Sequence, residues 1–492
     1  MSIKRSCPYC GNPIHPEDKY CSICGKPQLS DLNLGYEKEQ KGLNHFFYND
    51  LKEESSYNPN YNIGLDSERD FDINEINNAG IDEEIRYIEQ KIETQHSQGN
   101  PLGDLFLEKG ALYYKKRDFS RALKELETAL KIFSEERDPL KIAITHNEIG
   151  LIKEKLGYFE DAIFHFNTTI DLLRTLNEPK KIVLMFNNIG NAYLQINDFE
   201  NSYEYYQKAI NLAEREQFIY EEVKSSSNLV EVLFFLKDYE RVKRILQRNE
   251  QFFQKNNDLH GLIITKIKYG KLFFYMEGKY LEGGDYTKSY NSFSEALNLI
   301  EQMHNSLSIF QKSKLEWEIY LYLGKIEQLR DNHQKAESFL LKSMECVRLF
   351  ETGEENLKEA TILEELARVY TNSSEIENAI EYYLLAIRIH ERFGEDLRVA
   401  ELYAKIAQMH RDYSDDTLKA IEFYEKALFI YEHLGYYKEL AKIYAVLGDI
   451  YLSKNITDVA MSNFQKAERI YNQLNDNYHI ELLREKIASL LE

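Results

Sequence analysis

Residues 184–214 read LMFNNIGNAYLQINDFENSYEYYQKAINLAE. Gly190 lies within an apolar run of helical period. A second small residue, Ser202, follows twelve positions later; a ring, Tyr206, comes four after that, and Ala209 three further on. Asp198-Phe199 separates the two halves and reads as the turn between two helices.

The same pattern returns along the chain. Its anchors are Gly110, Gly150, Gly190, Val230, Gly270, Gly324, Ala367, Ala407 and Gly448, at spacings of 40, 40, 40, 40, 54, 43, 40 and 41. The second small position recurs as Ala122, Ala162, Ala336, Ala379 and Ala460, displaced to Ser289 and Ala420 in repeats five and eight. A large side chain four residues later recurs as Leu126, Phe166, Phe293, Leu340, Tyr383, Tyr424 and Phe464. Small residues at two facing positions let antiparallel helices approach closely. The ring is expected to fill the space between one hairpin and the next. A single hairpin cannot bury its own apolar faces, so neighbours must stack into one continuous core. The expected fold is all-α, with about nine hairpins over residues 102–475.

Composition agrees. The 492 residues include 22 glycines and 8 prolines, about half of average usage, which argues against sheets, hairpin turns and collagen. Hydrophobic content of 43% excludes a mostly disordered chain. The formal net charge of −21 argues against wholesale wrapping of nucleic acid, which needs clustered Lys and Arg. No window approaches the length of a membrane-spanning helix, and Lys4 and Arg5 precede no apolar stretch, so neither membrane insertion nor a secretory signal is expected. With few cysteines outside the first 24 residues, the expected location is cytoplasmic.

The first 27 residues are a separate case. Cys7-Pro-Tyr-Cys10-Gly and Cys21-Ser-Ile-Cys24-Gly are paired CxxC-G knuckles, and four thiolates close a tetrahedral shell suited to one structural Zn²⁺. Iron is the second choice for four sulfurs. His15 reads as an exposed loop residue. The stretch resembles the short zinc ribbons appended to many archaeal and bacterial proteins, a likeness that implies zinc and little about activity. Residues 28–80, with eleven acids and four bases, read as a flexible acidic linker. Its cluster Leu43, Phe46, Phe47 and Tyr48 is either a docking motif or a chance grouping. An amphipathic capping helix is expected over 81–101 (Ile81, Ile85, Ile88, Ile92), and another over 476–492 (Ile480, Leu483, Ile487, Leu490).

On Gly190, Tyr193, Tyr206 and Ala209 the repeat resembles the tetratricopeptide repeat (TPR), in a form of about 40 residues rather than 34. It departs at Val230, Val242 and Asn249, and in the extra turns around Ala296. The resemblance implies a right-handed superhelical solenoid whose concave groove, lined by first helices, binds a peptide or partner protein. Asn188 and Asn191 stand where similar asparagines hold a peptide backbone in that family.

Helical periodicity puts Lys271, Lys325 and Arg368 in one lane of the groove, next to Phe234, Phe274 and Tyr275. That lane reads in two ways: as the seat of an acidic peptide with apolar anchors, or as locally paired positions. On the first reading, the acidic linker 28–80 could itself occupy the lane and autoinhibit the protein. No phosphate loop, HExxH or GxSxG motif occurs. His146 reads as a satisfied core histidine and Cys346 as a small buried hydrophobe. The expected function is therefore a non-catalytic protein–protein interaction scaffold, with the ribbon as a docking module. The alternative is a nucleic-acid-associated regulator whose ribbon contacts DNA or RNA.

Overall fold

The structure, a computed structural model, describes residues 5–6, 13–14, 78–98, 102–280, 286–303, 306–350, 356–414 and 416–490. The chain divides into Met1–Lys41 and Gly42–Glu492. In the first unit β1 (Arg5–Ser6) pairs antiparallel with β2 (Pro13–Ile14), Arg5 opposite Ile14. Cys7, Cys10, Cys21 and Cys24, with most of the acidic stretch, lie outside the described residues.

The second unit is helical throughout its described residues. Helix α1 (Asn78–Gln98) is followed by nine hairpins and a final helix. The first four hairpins are α2 (Gly103–Lys115) with α3 (Phe119–Glu136), α4 (Pro139–Lys155) with α5 (Phe159–Thr175), α6 (Pro179–Gln195) with α7 (Phe199–Arg215), and α8 (Ile219–Phe235) with α9 (Tyr239–Lys255). The fifth and sixth are α10 (Leu259–Tyr280) with α11 (Thr287–Gln302) and α12 (Ile309–Leu329) with α13 (His333–Phe350). Then come α14 (Leu357–Asn372) with α15 (Ile376–Arg392), α16 (Asp396–Asp412) with α17 (Thr417–Leu434), and α18 (Tyr437–Ser453) with α19 (Thr457–Gln473); α20 (Asn477–Ser489) follows. Part of the extra length in repeat five goes into α10, 22 residues long.

The turns explain the shortage of glycine. At the ends of α2, α6 and α8 the residues Arg117, Asn197 and Lys237 take left-handed φ of 61°, 59° and 56°. The next N–H reaches back to close the helix, as Asp118 does to the Tyr113 carbonyl at 2.9 Å and Asp198 to Tyr193 at 2.9 Å. Asp118, Asp198 and Asp238 then cap the second helix, each accepting a backbone N–H three residues ahead. At these turns non-glycine residues take the left-handed conformation that glycine usually supplies, while Gly157, Gly394 and Gly435 supply it at other helix ends.

That packing is tight. A Cβ on Gly190 would lie 2.6 Å from Tyr206 Cε1, and one on Gly150 2.7 Å from Phe166 Cε1. The side chain at the ring position therefore covers the anchor of its own hairpin and also reaches the next, as where Phe293 stacks on Tyr322 of α12 at 5.4 Å. A column seven residues later adds to the packing between hairpins. Phe133, Leu173, Ala213, Phe253 and Tyr471 are all buried; Phe253 lies on Gly261 of the following hairpin, and Tyr471 stacks on His479 of α20 at 4.7 Å. Where the second small residue is serine its hydroxyl donates to the anchor carbonyl, Ser202 to Gly190 at 2.8 Å and Ser289 to Gly270 at 2.7 Å.

Repeat four departs from the pattern consistently. Val230 faces Leu246 instead of a ring, and buried Asn249 donates to Ser227 Oγ at 2.7 Å and accepts from Ser226 Oγ at 3.2 Å. At the ends, α1 sets Ile85 and Ile88 into the first hairpin, and α20 sets Ile480 and Leu483 against the last.

Gly190→Ala should lower stability by about 1–3 kcal/mol through overpacking against Tyr206. Repeat seven already holds Ala367 with the buried ring of Tyr383, so a re-spaced hairpin is attainable and folding should persist. The urea midpoint of unfolding measures the loss.

Candidate functional site

Consecutive first helices meet along a polar seam. In repeats three and four, Asn187 Nδ2 of α6 donates to Ser225 Oγ of α8 at 2.9 Å, and Asn228 Nδ2 donates back to Asn187 Oδ1 at 3.1 Å. In repeats four to six, Lys268 Nζ of α10 donates to the Ser227 carbonyl at 2.8 Å and to Glu231 at 2.7 Å. Lys271 lies 3.0 Å from Glu231 and 3.0 Å from Glu318 of α12. In repeats six to eight, Lys325 pairs with Glu365 at 3.2 Å, Arg368 with Glu365 at 3.2 Å, and Glu364 with both His390 and Arg398.

The residues expected to form a basic, aromatic lane are indeed brought together. The ammonium of Lys271 lies 5.4 Å from the Phe234 ring centre, and that of Lys325 5.7 Å from Phe274. Tyr275 Oη is 2.8 Å from Tyr322 Oη. Each of these cations is paired: Lys271, 1% exposed, lies between two carboxylates, and Lys325 and Arg368 share Glu365, although the Arg368 side chain stays 39% exposed. These contacts are those of the local-pairing reading of the lane. The sequence held the signal: Glu231 stands in the same repeat column as Lys271, 40 positions earlier.

Electrostatics follow from burial. Desolvation opposes ionisation of Glu231, but Lys268 and Lys271 outweigh it and hold its carboxyl at about 2. Desolvation likewise works against the Lys271 ammonium, and Glu231 and Glu318 more than restore it. Burial lowers Lys268 and raises Glu318, the less fully compensated members. Glu364 is held at about 2 by His390 and Arg398 against its own desolvation.

One repeat nearer the amino terminus the seam is incomplete. Asn147 of α4 and Asn188 of α6 occupy the columns of Asn187 and Asn228. Asn147 is 0% exposed and neither amide atom has a hydrogen-bond partner; Asn188 is 2% exposed and its Nδ2 has none. Asn191, half-buried beside them, accepts from Tyr206 Oη at 2.6 Å. Sequence reasoning selected Asn188 and Asn191 but missed Asn147, which aligning the column at Asn187 would have found.

The other polar candidates are accounted for. His146 Nδ1 is 2.8 Å from His165 Nδ1, and burial lowers both imidazoles. The buried Cys346 thiol is pushed up to about 12 by desolvation, leaving it inert. Among the described residues no helix is long and apolar enough to cross a membrane, and no cluster of three metal-binding side chains occurs.

Residues 184–216 match the tetratricopeptide-repeat family model, and residues 327–492 match that of the soluble NSF attachment protein. No curated protein matches the sequence. Among solved structures, the apo form of the quorum sensor NprR from B. thuringiensis is similar over 74% of this chain and 99% of that one, at 17% identity and TM-score 0.46. Aspartyl phosphate phosphatase F from Bacillus subtilis is similar over 61% of this chain and 73% of its own, at 15% identity and TM-score 0.46. A signal-transduction ATPase with a tetratricopeptide repeat sensor from Pyrococcus horikoshii is similar over 79% and 52%, at 15% identity and TM-score 0.42. The described helices form an all-helical repeat solenoid, one repeat of which matches the tetratricopeptide model.

Lys271→Met would leave Glu231 and Glu318 buried without their shared cation, and stability should fall by about 3–5 kcal/mol. Adding Glu318→Gln should recover much of that loss. Urea unfolding of the two variants and of Glu318→Gln alone closes the cycle.

Proposed function

We propose that this protein is a non-catalytic interaction scaffold that holds an extended peptide, or such a segment of a partner protein, along the first helices of repeats two and three. One observation carries the reading. Asn187 bonds across to α8, whereas one repeat earlier three amide atoms of Asn147 and Asn188 are buried without a hydrogen-bond partner. A buried polar group without a partner costs about 1–3 kcal/mol, so these amides are poorly explained as packing and mark the boundary of α4 and α6 as one that does not satisfy itself. Asn191 adds a half-buried amide on the same face. The paired state of Lys271, Lys325 and Arg368 withdraws the charge argument for docking the linker 28–80. No described side-chain cluster supplies an acid, base or nucleophile arranged for chemistry.

Heptapeptides selected from a random display library should include binders of micromolar affinity. Asn188→Ala with Asn191→Ala should weaken them about tenfold, or 1.4 kcal/mol, without comparable loss of thermal stability. Equal binding by the variant would remove the asparagines from the site.

For the amino-terminal module the proposal rests on its four cysteines: Cys7, Cys10, Cys21 and Cys24 hold one Zn²⁺ and the module docks on protein. Elemental analysis should find about one zinc per chain, lost in Cys10→Ser/Cys24→Ser, with helical content retained.

A further inference from the structure

Two facing positions recur within the hairpins, one four residues before the anchor on the first helix and one fifteen after it on the second, sixteen in repeat eight. In repeat three they hold Phe186 and Tyr205, with ring centres 6.0 Å apart. Repeat six stacks Tyr320 on Phe339 at 6.2 Å, and repeat eight sets Tyr403 beside Phe423 at 5.9 Å. Repeat two has His146 of α4 and His165 of α5 there, both half-buried. Their Nδ1 atoms are 2.8 Å apart and their ring centres 5.1 Å, so each imidazole is the other's hydrogen-bond partner. Phe164 lies edge-on to His165 at 5.4 Å. Packing alone does not ask for histidine at these positions, because two larger rings fill them elsewhere and bury more apolar surface.

What the pair does supply is two nitrogen donors held by two packed helices. Zinc–nitrogen bonds of about 2.0–2.1 Å at the tetrahedral angle set two ligating nitrogens about 3.3 Å apart, about 0.5 Å beyond the present contact. The χ2 torsion of histidine is soft, so each ring can turn its lone pair to a shared ion. Burial favours the neutral imidazole, the form that ligates a metal. Lys153 and Asp161, whose charges bear on His165, are paired with each other at 3.2 Å. We propose that His146 and His165 bind one divalent transition-metal ion of the kind imidazole suits, such as Zn²⁺, through both Nδ1 atoms. The proton shared between those atoms shifts to Nε2 of its own ring, so the pair stays neutral and releases no proton. Two protein ligands leave the other positions to water, and the ion exchanges readily. This site is distinct from the four amino-terminal cysteines and does not depend on peptide binding.

The test is calorimetric titration of the full chain with Zn²⁺, in the wild type and in variants whose cysteines are untouched. The comparison variant is His146→Phe with His165→Tyr, which gives repeat two the ring pair of repeat three. The wild type should take up one zinc per chain more than this variant, at micromolar affinity, while the variant's urea midpoint stays at or above that of the wild type. His146→Gln and His165→Gln, which keep a polar side chain at each position, should each weaken that additional uptake at least tenfold. Equal zinc uptake by the wild type and the double variant would overturn the proposal. So would additional uptake that survives either glutamine substitution, since both nitrogens are required.

Discussion

The contact on which everything else depends is the approach of two helices at the anchor of each hairpin. Where Gly190 meets Tyr206 there is no room for a methyl group, so the ring lies flat on backbone and the helices are locked in register. Stacking then follows, because a hairpin closed at its anchor still carries apolar side chains such as Phe253 that only the next hairpin buries. Phe253 is covered by Gly261 of the next hairpin, so closure of one repeat creates the surface that recruits its neighbour.

Close stacking forces the first helices side by side, and the residues between them need not be apolar. From α6 to α16 they include amides, lysines, arginines and glutamates that bond or pair across the helices. A buried ion pair of this kind contributes little net stability over a hydrophobic pair, but it penalises every misplaced partner. Lys271 bridging Glu231 and Glu318 ties α8, α10 and α12 together where the repeat length jumps to 54, the place where an irregular spacing most needs a fixed register.

Much of this was legible in the sequence, and the boundary between what was and what was not is physical. Anchors, second small positions and capping aspartates act within one hairpin, where helical period fixes who faces whom. The seam forms between hairpins. Lys271 and Glu231 are 40 residues apart, and read along one helix Lys271 looks like a free groove cation. Only by reading columns across repeats does the pairing emerge. The same holds for Asn147, unremarkable within α4 but the exact counterpart of Asn187 one repeat on. The ring position was found with one of its two neighbours, the next hairpin; its contact with its own anchor was missed, because spacing shows that a side chain is buried without showing every side it touches.

Comparison of equivalent columns also separates structure from recognition. If polar residues on the first-helix face served only to set register, each repeat boundary should be satisfied like that between α6 and α8. The boundary between α4 and α6 has the same amides and lacks the bonds between them. Register is therefore a poor account of Asn147 and Asn188, and that difference between equivalent columns is the reason the peptide site is proposed at repeats two and three rather than farther along the solenoid.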